Sequence, residues 1–294
     1  MNALSVILVQ GLTFGSIYAV AALGFGLVYN TTRAFHIAYG AISVAGSYLV
    51  VSLAPAGPLP KLLAATALAV AATFGITAEV FAGLYRWVQD REGGRLAVFV
   101  ISLGVAFAIE PVIVLIAGAQ VRTFQMPAYL KLYQVAGLHI SVMALVVIAA
   151  GILAVTGLRL ALSHTRWGFQ LQALAANPEL AELVGSRRRR VVTWMLLVAS
   201  GLGTVAALLL GIYTEVTPNG GTSLALVAAV AVIAGGVGSY TGAYAFALTV
   251  GFLQALTSYV LPGAWTTVGV YGAILLLILL RPSGLGRGWK TAGT

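Results

Sequence analysis

Two carboxylates fall inside long apolar runs, where a charge is most expensive. Glu110 stands in FAIEPVIV, directly before Pro111, and Glu79 lies seven residues before Arg86. An acid at membrane depth is by default an ion, proton or solute site. For Glu110 two readings stand: a group on such a path, or a hydrogen-bonded acid that holds a helix kink. Glu79 sits near the end of its run, so snorkelling to the surface or pairing with a neighbouring base accounts for it.

Hydroxyls and rings form the next set. QGLTFGSIYAVAALGFG (10–26) carries Thr13, Ser16 and Tyr18 among Gly11, Gly15, Gly24 and Gly26. Such glycines let helix backbones approach closely in lipid. The hydroxyls either serve that packing or form a polar face along a solute path. FHIAYGAIS (35–43) gathers His36, Tyr39, Gly40 and Ser43 at the mouth of the following run. It reads as an interfacial loop, or as a gate or binding group. Ser102, in FVISLG, completes the set of path candidates.

Other chemistries lack their residues. Cysteine is absent, which removes disulfides, thiolate metal sites and thiol nucleophiles. His36, His139 and His164 lie far apart, and no HExxH or GxSxG pattern occurs. No metal site is expected. The glycine-rich GGVGSYTG (235–242) has no lysine and joins two apolar runs, so a tight turn with close helix packing suits it better than phosphate binding. The chain therefore has no usual P-loop route to ATP hydrolysis. It is expected to be no enzyme and to carry no cofactor of its own.

The elements that position these residues are hydrophobic. Of 294 residues, 60% are hydrophobic and 8% charged, against about a quarter charged in soluble chains. A bilayer is the natural solvent for the excess. Apolar runs fall at 5–29, 37–54, 62–85, 97–118, 140–160, 191–213, 224–237, 243–260 and 264–280. They predict an all-α polytopic membrane protein of about nine spans, residues 1–294 forming one domain. The 37–54 and 264–280 runs are marginal in length. The 224–237 run is short enough to be broken or re-entrant. MNALSVILVQ lacks the basic start of a cleaved signal peptide, so the first run is expected to be a permanent span.

The net charge of +9 does not indicate nucleic acid, because the basic residues sit in short gaps between apolar runs. With the N-terminus outside and nine crossings, Arg33, Arg86, Arg91, Arg95, Arg159, Arg166, Arg187–Arg190, Arg281, Arg287 and Lys290 face the cytoplasm. That is 13 of the 16 basic residues; only Lys61, Arg122 and Lys131 lie outside. The bias favours this orientation and predicts a cytoplasmic tail, 281–294.

The longest cytoplasmic connection, about 161–190, holds NPELAELVGSRRRR (177–190). Asn177 suits a helix N-cap, Pro178 the first position, Glu179 and Glu182 the positive helix end, and Gly185 the C-cap. Ala173, Leu174, Leu180 and Leu183 give this short helix an apolar face. It is either an interfacial helix anchored by Arg187, Arg188, Arg189 and Arg190, or a docking helix for a soluble subunit.

Five stretches together resemble the LivH/LivM-type permease subunits of ABC importers for branched-chain and other hydrophobic amino acids, and LivH more closely. QGLTFGSIYAVAALGFGLVY resembles the opening helix. HIAYGAISVAGSY resembles the family's N-F-A-H-G stretch, with His36 where Asn is common and Tyr39 in place of His. FVISLGVAFAIEPVIVLIAG resembles a middle helix with a polar residue near Glu110. ALAANPELAELVGSRRRRV resembles the cytoplasmic coupling segment. AGGVGSYTGAYAFA with LLRPSGLG resembles the C-terminal signature and tail. The resemblance implies a bacterial inner-membrane protein and a pore shared with a second related permease. It further implies two ATPase subunits that bind ATP and Mg, and a periplasmic or lipid-anchored binding protein. Asn177 to Gly185 would dock on an ATPase. The changes at His36 and Tyr39 leave the solute open between branched-chain amino acids and small solutes such as urea or short amides. A stand-alone carrier or channel using Glu110 is the alternative.

Overall fold

A computed structural model describes residues 3–56, 58–80, 94–125, 132–135, 138–261 and 263–280. Every apolar run contains one long helix. These are α1 (Ala3–Thr32), α2 (Ala38–Leu53), α3 (Leu59–Val80), α4 (Arg95–Ala117), α5 (Val142–His164), α8 (Arg188–Tyr213), α9 (Gly220–Gly235), α10 (Tyr240–Val260) and α11 (Gly263–Leu280). The connection before α8 holds α6 (Arg166–Ala176) and α7 (Pro178–Leu183). Six of the long helices have the length and hydropathy to cross a bilayer, while α2 and α9 are shorter apolar helices. Arg86, Arg91 and the 281–294 tail lie outside the described residues.

Hydropathy explains why these segments are helical: backbone groups in hydrocarbon must be satisfied within their own segment. One expectation needs correction. The connection 161–190 was expected to hold one short helix; α5 instead continues to His164 and α6 follows at once. Thr165 makes this junction, its side chain accepting from Gly168 N at 3.0 Å to cap α6. A short hairpin, which the sequence does not announce, lies in the gap before α5. Strands β1 (Leu132–Val135) and β2 (Leu138–Ser141) pair antiparallel, with Gln134 opposite His139. The 224–237 run forms an unbroken helix of 16 residues, α9. At 1.5 Å per residue it spans about 24 Å, short of a hydrocarbon core of about 30 Å.

The core is built around α1, which is buried almost without interruption from Thr13 to Val28. Helix α1 packs along α10 and also meets α5, α8 and α9; α2 lies against α3, α4, α8 and α9. Glycines set the closest crossings. A Cβ at Gly251 of α10 would meet the backbone of Gly15 in α1, and one at Gly40 of α2 would meet the carbonyl of Gly221 in α9. Backbone contact of this kind is the chief source of helix association where lipid removes the hydrophobic drive.

The connections sort into two groups. Arg122 and Val216 exchange backbone hydrogen bonds, Gln125 N donates to Pro55 O, and Arg122 Nη1 donates to Ser52 Oγ at 2.8 Å. The connections after α2, α4 and α8 therefore gather at one end. Asn30 Oδ1, at the end of α1, accepts from Gly238 N in the turn between α9 and α10 at 2.9 Å. This is the pattern that alternate crossing produces.

Candidate functional site

The path candidates occupy the interior but do not form one cluster. Thr13 donates to its own helix at Val9 O, 2.7 Å, and Ser16 fills the space facing Gly151 of α5. Tyr18 donates to Gln254 Oε1 of α10 at 3.2 Å and stacks on Phe14. Tyr39 donates to Ala21 O at 2.9 Å, its ring lying against Gly24 and Gly203. Ser43 donates to Tyr39 O at 2.6 Å. All five are buried, and all but Thr13 tether or fill a helix crossing. Gly11, Gly15, Gly24 and Gly26 likewise pack against Phe252, Leu248, Tyr39 and Val232.

His36 and Ser102 come together across a turn. The segment between α1 and α2 begins at Arg33, the sole non-glycine with positive φ among the described residues, at 54°. Ser102 of α4 then clamps the turn, accepting from Ile37 N at 3.2 Å and reaching Phe35 O at 3.2 Å. His36 lies between these two contacts and is buried. Burial pushes its imidazole down to about 4, so it is neutral at physiological pH.

Glu110 differs from the other seven. It alone among the path candidates retains access, being half-buried. Its Oε1 accepts from Thr222 Oγ1 at 2.7 Å, joining α4 to the first turn of α9. Sequence reading missed Thr222, although GGTS at 220–223 marks a polar helix start; only the fold brings it to Glu110. Glu79 closes α3 one residue from its end, and Arg86 lies outside the described residues. Among the described residues no three His, Asp or Glu side chains converge as metal ligands.

The second candidate site is the segment before α8. Asn177 Oδ1 accepts from Leu180 N at 3.1 Å, and Pro178 opens α7. The C-cap is Val184 rather than Gly185, which follows it at φ 91°. Gly185 N donates to Glu182 O at 3.0 Å and Ser186 N to Ala181 O at 2.9 Å. This paired closure needs a left-handed residue, hence glycine. Facing inward are Leu171, Leu174 and Ala181, all buried. Facing outward are Leu180, 60% exposed, and Leu183 and Val184, each 82% exposed. Arg188 Nη1 lies 3.7 Å from Glu182 Oε1, the one ion pair among the described residues.

A family model described as branched-chain amino acid transport system, permease component, matches residues 7–279. The chain is 30% identical over 292 residues to the high-affinity branched-chain amino acid transport system permease protein BraD of Pseudomonas aeruginosa, covering 95% of this chain and 94% of that protein. It is 27% identical over 290 residues to the permease protein LivH of Escherichia coli, covering 94% and 93%. A probable branched-chain amino acid transport permease protein LivH from Methanocaldococcus jannaschii is 28% identical over 302 residues, covering 97% and 93%. No solved structure matches the chain.

Proposed function

The chain belongs to the family of branched-chain amino acid transport permeases, and we propose that it forms half of the translocation path of an ATP-driven importer in a bacterial cytoplasmic membrane. Its solute is a branched-chain amino acid or a similarly small relative. Residues 1–294 act as one permease domain beside a second related permease. A secreted binding protein supplies solute, and two separate ATPases bind ATP and Mg. Family membership does not favour a stand-alone carrier.

The observation that carries the coupling role is the two-sidedness of α6 and α7. Leu171, Leu174 and Ala181 fasten the segment to the permease core, while Leu180, Leu183 and Val184 are left facing outward. Full burial of a leucine is worth about 1.5–3 kcal/mol. Caps at both ends hold the helix rigid, so a push on it reaches α8 through Arg187 and Arg188. An ATPase surface seated on this face would pass its closure to the spans in that way.

Glu110 is assigned to the path, because it keeps access while the other candidates are spent on packing. Its carboxylate suits the ammonium of an amino acid, and Thr222 holds it in place. The test of coupling is the double substitution Leu180→Asp, Leu183→Asp in the assembled transporter. Both positions are exposed, so the permease should reach the membrane at normal yield. Uptake is expected to fall at least about tenfold, the scale of one lost buried leucine contact, with ATPase subunits lost or hydrolysing without transport. Normal uptake would refute docking through this face.

A further inference from the structure

Beside the coupling segment the molecule has a two-part cavity that its packing does not fill. Helices α5 and α8 both pack on α1 but touch each other little. Between them runs a groove of about 620 Å³, lined by Leu153, Ala154, Gly157, Leu158, Val198 and Leu202. A Cβ at Gly157 would meet no heavy atom within 4 Å, so the groove is open down to the α5 backbone. At its end lies a second cavity of about 360 Å³, lined by Gln170, Arg187 and Arg190. Trp167 and Trp194 line both cavities, so the two adjoin. The buried indole Nε1 of Trp167 has no hydrogen-bond partner.

We propose that this cavity binds one anionic phospholipid, with an acyl chain along the α5–α8 groove and the phosphate between Arg187 and Arg190. Charge complementarity selects the occupant. Arg187–Arg190 cap and open α8, placing cations at the helix end that already carries positive partial charge. Among the described residues Glu182 reaches Arg188 alone, which leaves Arg187 and Arg190 without an acid, and no acid lines their cavity. An anion offsets both the arginines and the helix end. The apolar groove next to them favours a ligand with an acyl chain over a soluble anion, since only the former fills both cavities. Tryptophans at the junction match the depth where indoles sit in membranes. The bound lipid braces the start of α8 against α5 and α6, beneath the coupling segment. This site requires the basic end of α8 to lie at the membrane surface; it depends neither on the solute nor on ATPase docking.

The test uses the full-length chain in nanodiscs of phosphatidylglycerol or phosphatidylcholine, released and stripped stepwise in native mass spectrometry. One phosphatidylglycerol should remain after phosphatidylcholine is lost. Arg187→Gln with Arg190→Gln should weaken its retention about thirtyfold, the scale of two surface cations on anionic lipid. Gly157→Leu should reduce retention as well, by filling the groove with carbon where no protein atom stands. Thermal unfolding identifies a variant that fails to fold, and the remaining variant with the lipid comparison then decides. Equal retention of the two lipids overturns the proposal. So does unchanged retention in folded variants, or displacement of the lipid by glycerol phosphate alone. Cross-linking of Leu202→Cys to another subunit would give the groove to a protein neighbour and also overturn it.

Discussion

Glu110 and His36 show how two polar residues in one apolar chain come to different ends. Glu110 shares its carboxylate with Thr222 and stays half-open. Glu110→Gln keeps an acceptor oxygen for Thr222 and removes the charge alone. Uptake is expected to fall about tenfold, within the range of one charged hydrogen bond. Unchanged uptake from pH 6 to 8 would instead assign the acid to packing between α4 and α9. His36 is closed in, and its effect is on stability. Above pH 6.5 it is neutral whether folded or not. Below that, the unfolded chain takes up a proton which the folded chain refuses until about pH 4. Stability therefore declines as pH falls through this window. The thermal midpoint should drop between pH 7 and 4.5, and His36→Gln should flatten the drop; parallel profiles would remove His36 as its source.

The helices follow from hydropathy, but their crossings do not. Nine apolar runs predicted nine helices, because a backbone in hydrocarbon has few alternatives to helix. The ends of α7 were legible too, since Asn177, Pro178 and Gly185 each supply a specific terminal hydrogen-bond geometry. Helix α6 was missed: RWGFQLQALAA is polar enough to read as connection, and its burial depends on Leu171 and Leu174 finding the core. The β1–β2 hairpin was missed because its pairing is satisfied across strands rather than by local pattern. Partners such as Thr222 for Glu110, or Gln254 for Tyr18, are more than a hundred residues away and leave no local trace. Glycines likewise announced close packing without naming the helix packed against. That pairing is testable at Gly251, where any side chain runs into Gly15 and the carbonyl of Gly11. Gly251→Ala should cost about 1–3 kcal/mol, as overpacking does, read as a lower unfolding midpoint in detergent. Gly104→Ala, with nothing within 4 Å of the new carbon, should be neutral. Equal effects at the two positions would mean α1 and α10 do not cross there.

At the scale of the molecule the decisive quantity is the sidedness of charge. By the apolar runs, thirteen of the 16 basic residues fall in gaps of one parity. Independently, the connections of the other parity meet through Arg122, Ser52, Pro55 and Val216 at one end of the bundle. Two unrelated observations, one from composition and one from hydrogen bonds, thus fit the same alternation. The positive-inside bias then predicts an orientation for it. A chain without cysteine is a clean background for testing it. Thr123→Cys, beside Arg122, should react with a membrane-impermeant maleimide in intact spheroplasts. Ser186→Cys, which follows the cap of α7, should react only after the membrane is opened. The reverse pattern would place the outward leucines of α7 on the side where no ATPase stands, and coupling through that helix could not occur. Reaction of both from one side would instead remove a crossing between α4 and α7. Since α5 is the one long helix between them, the span lost would be α5, and with it one wall of the lipid groove.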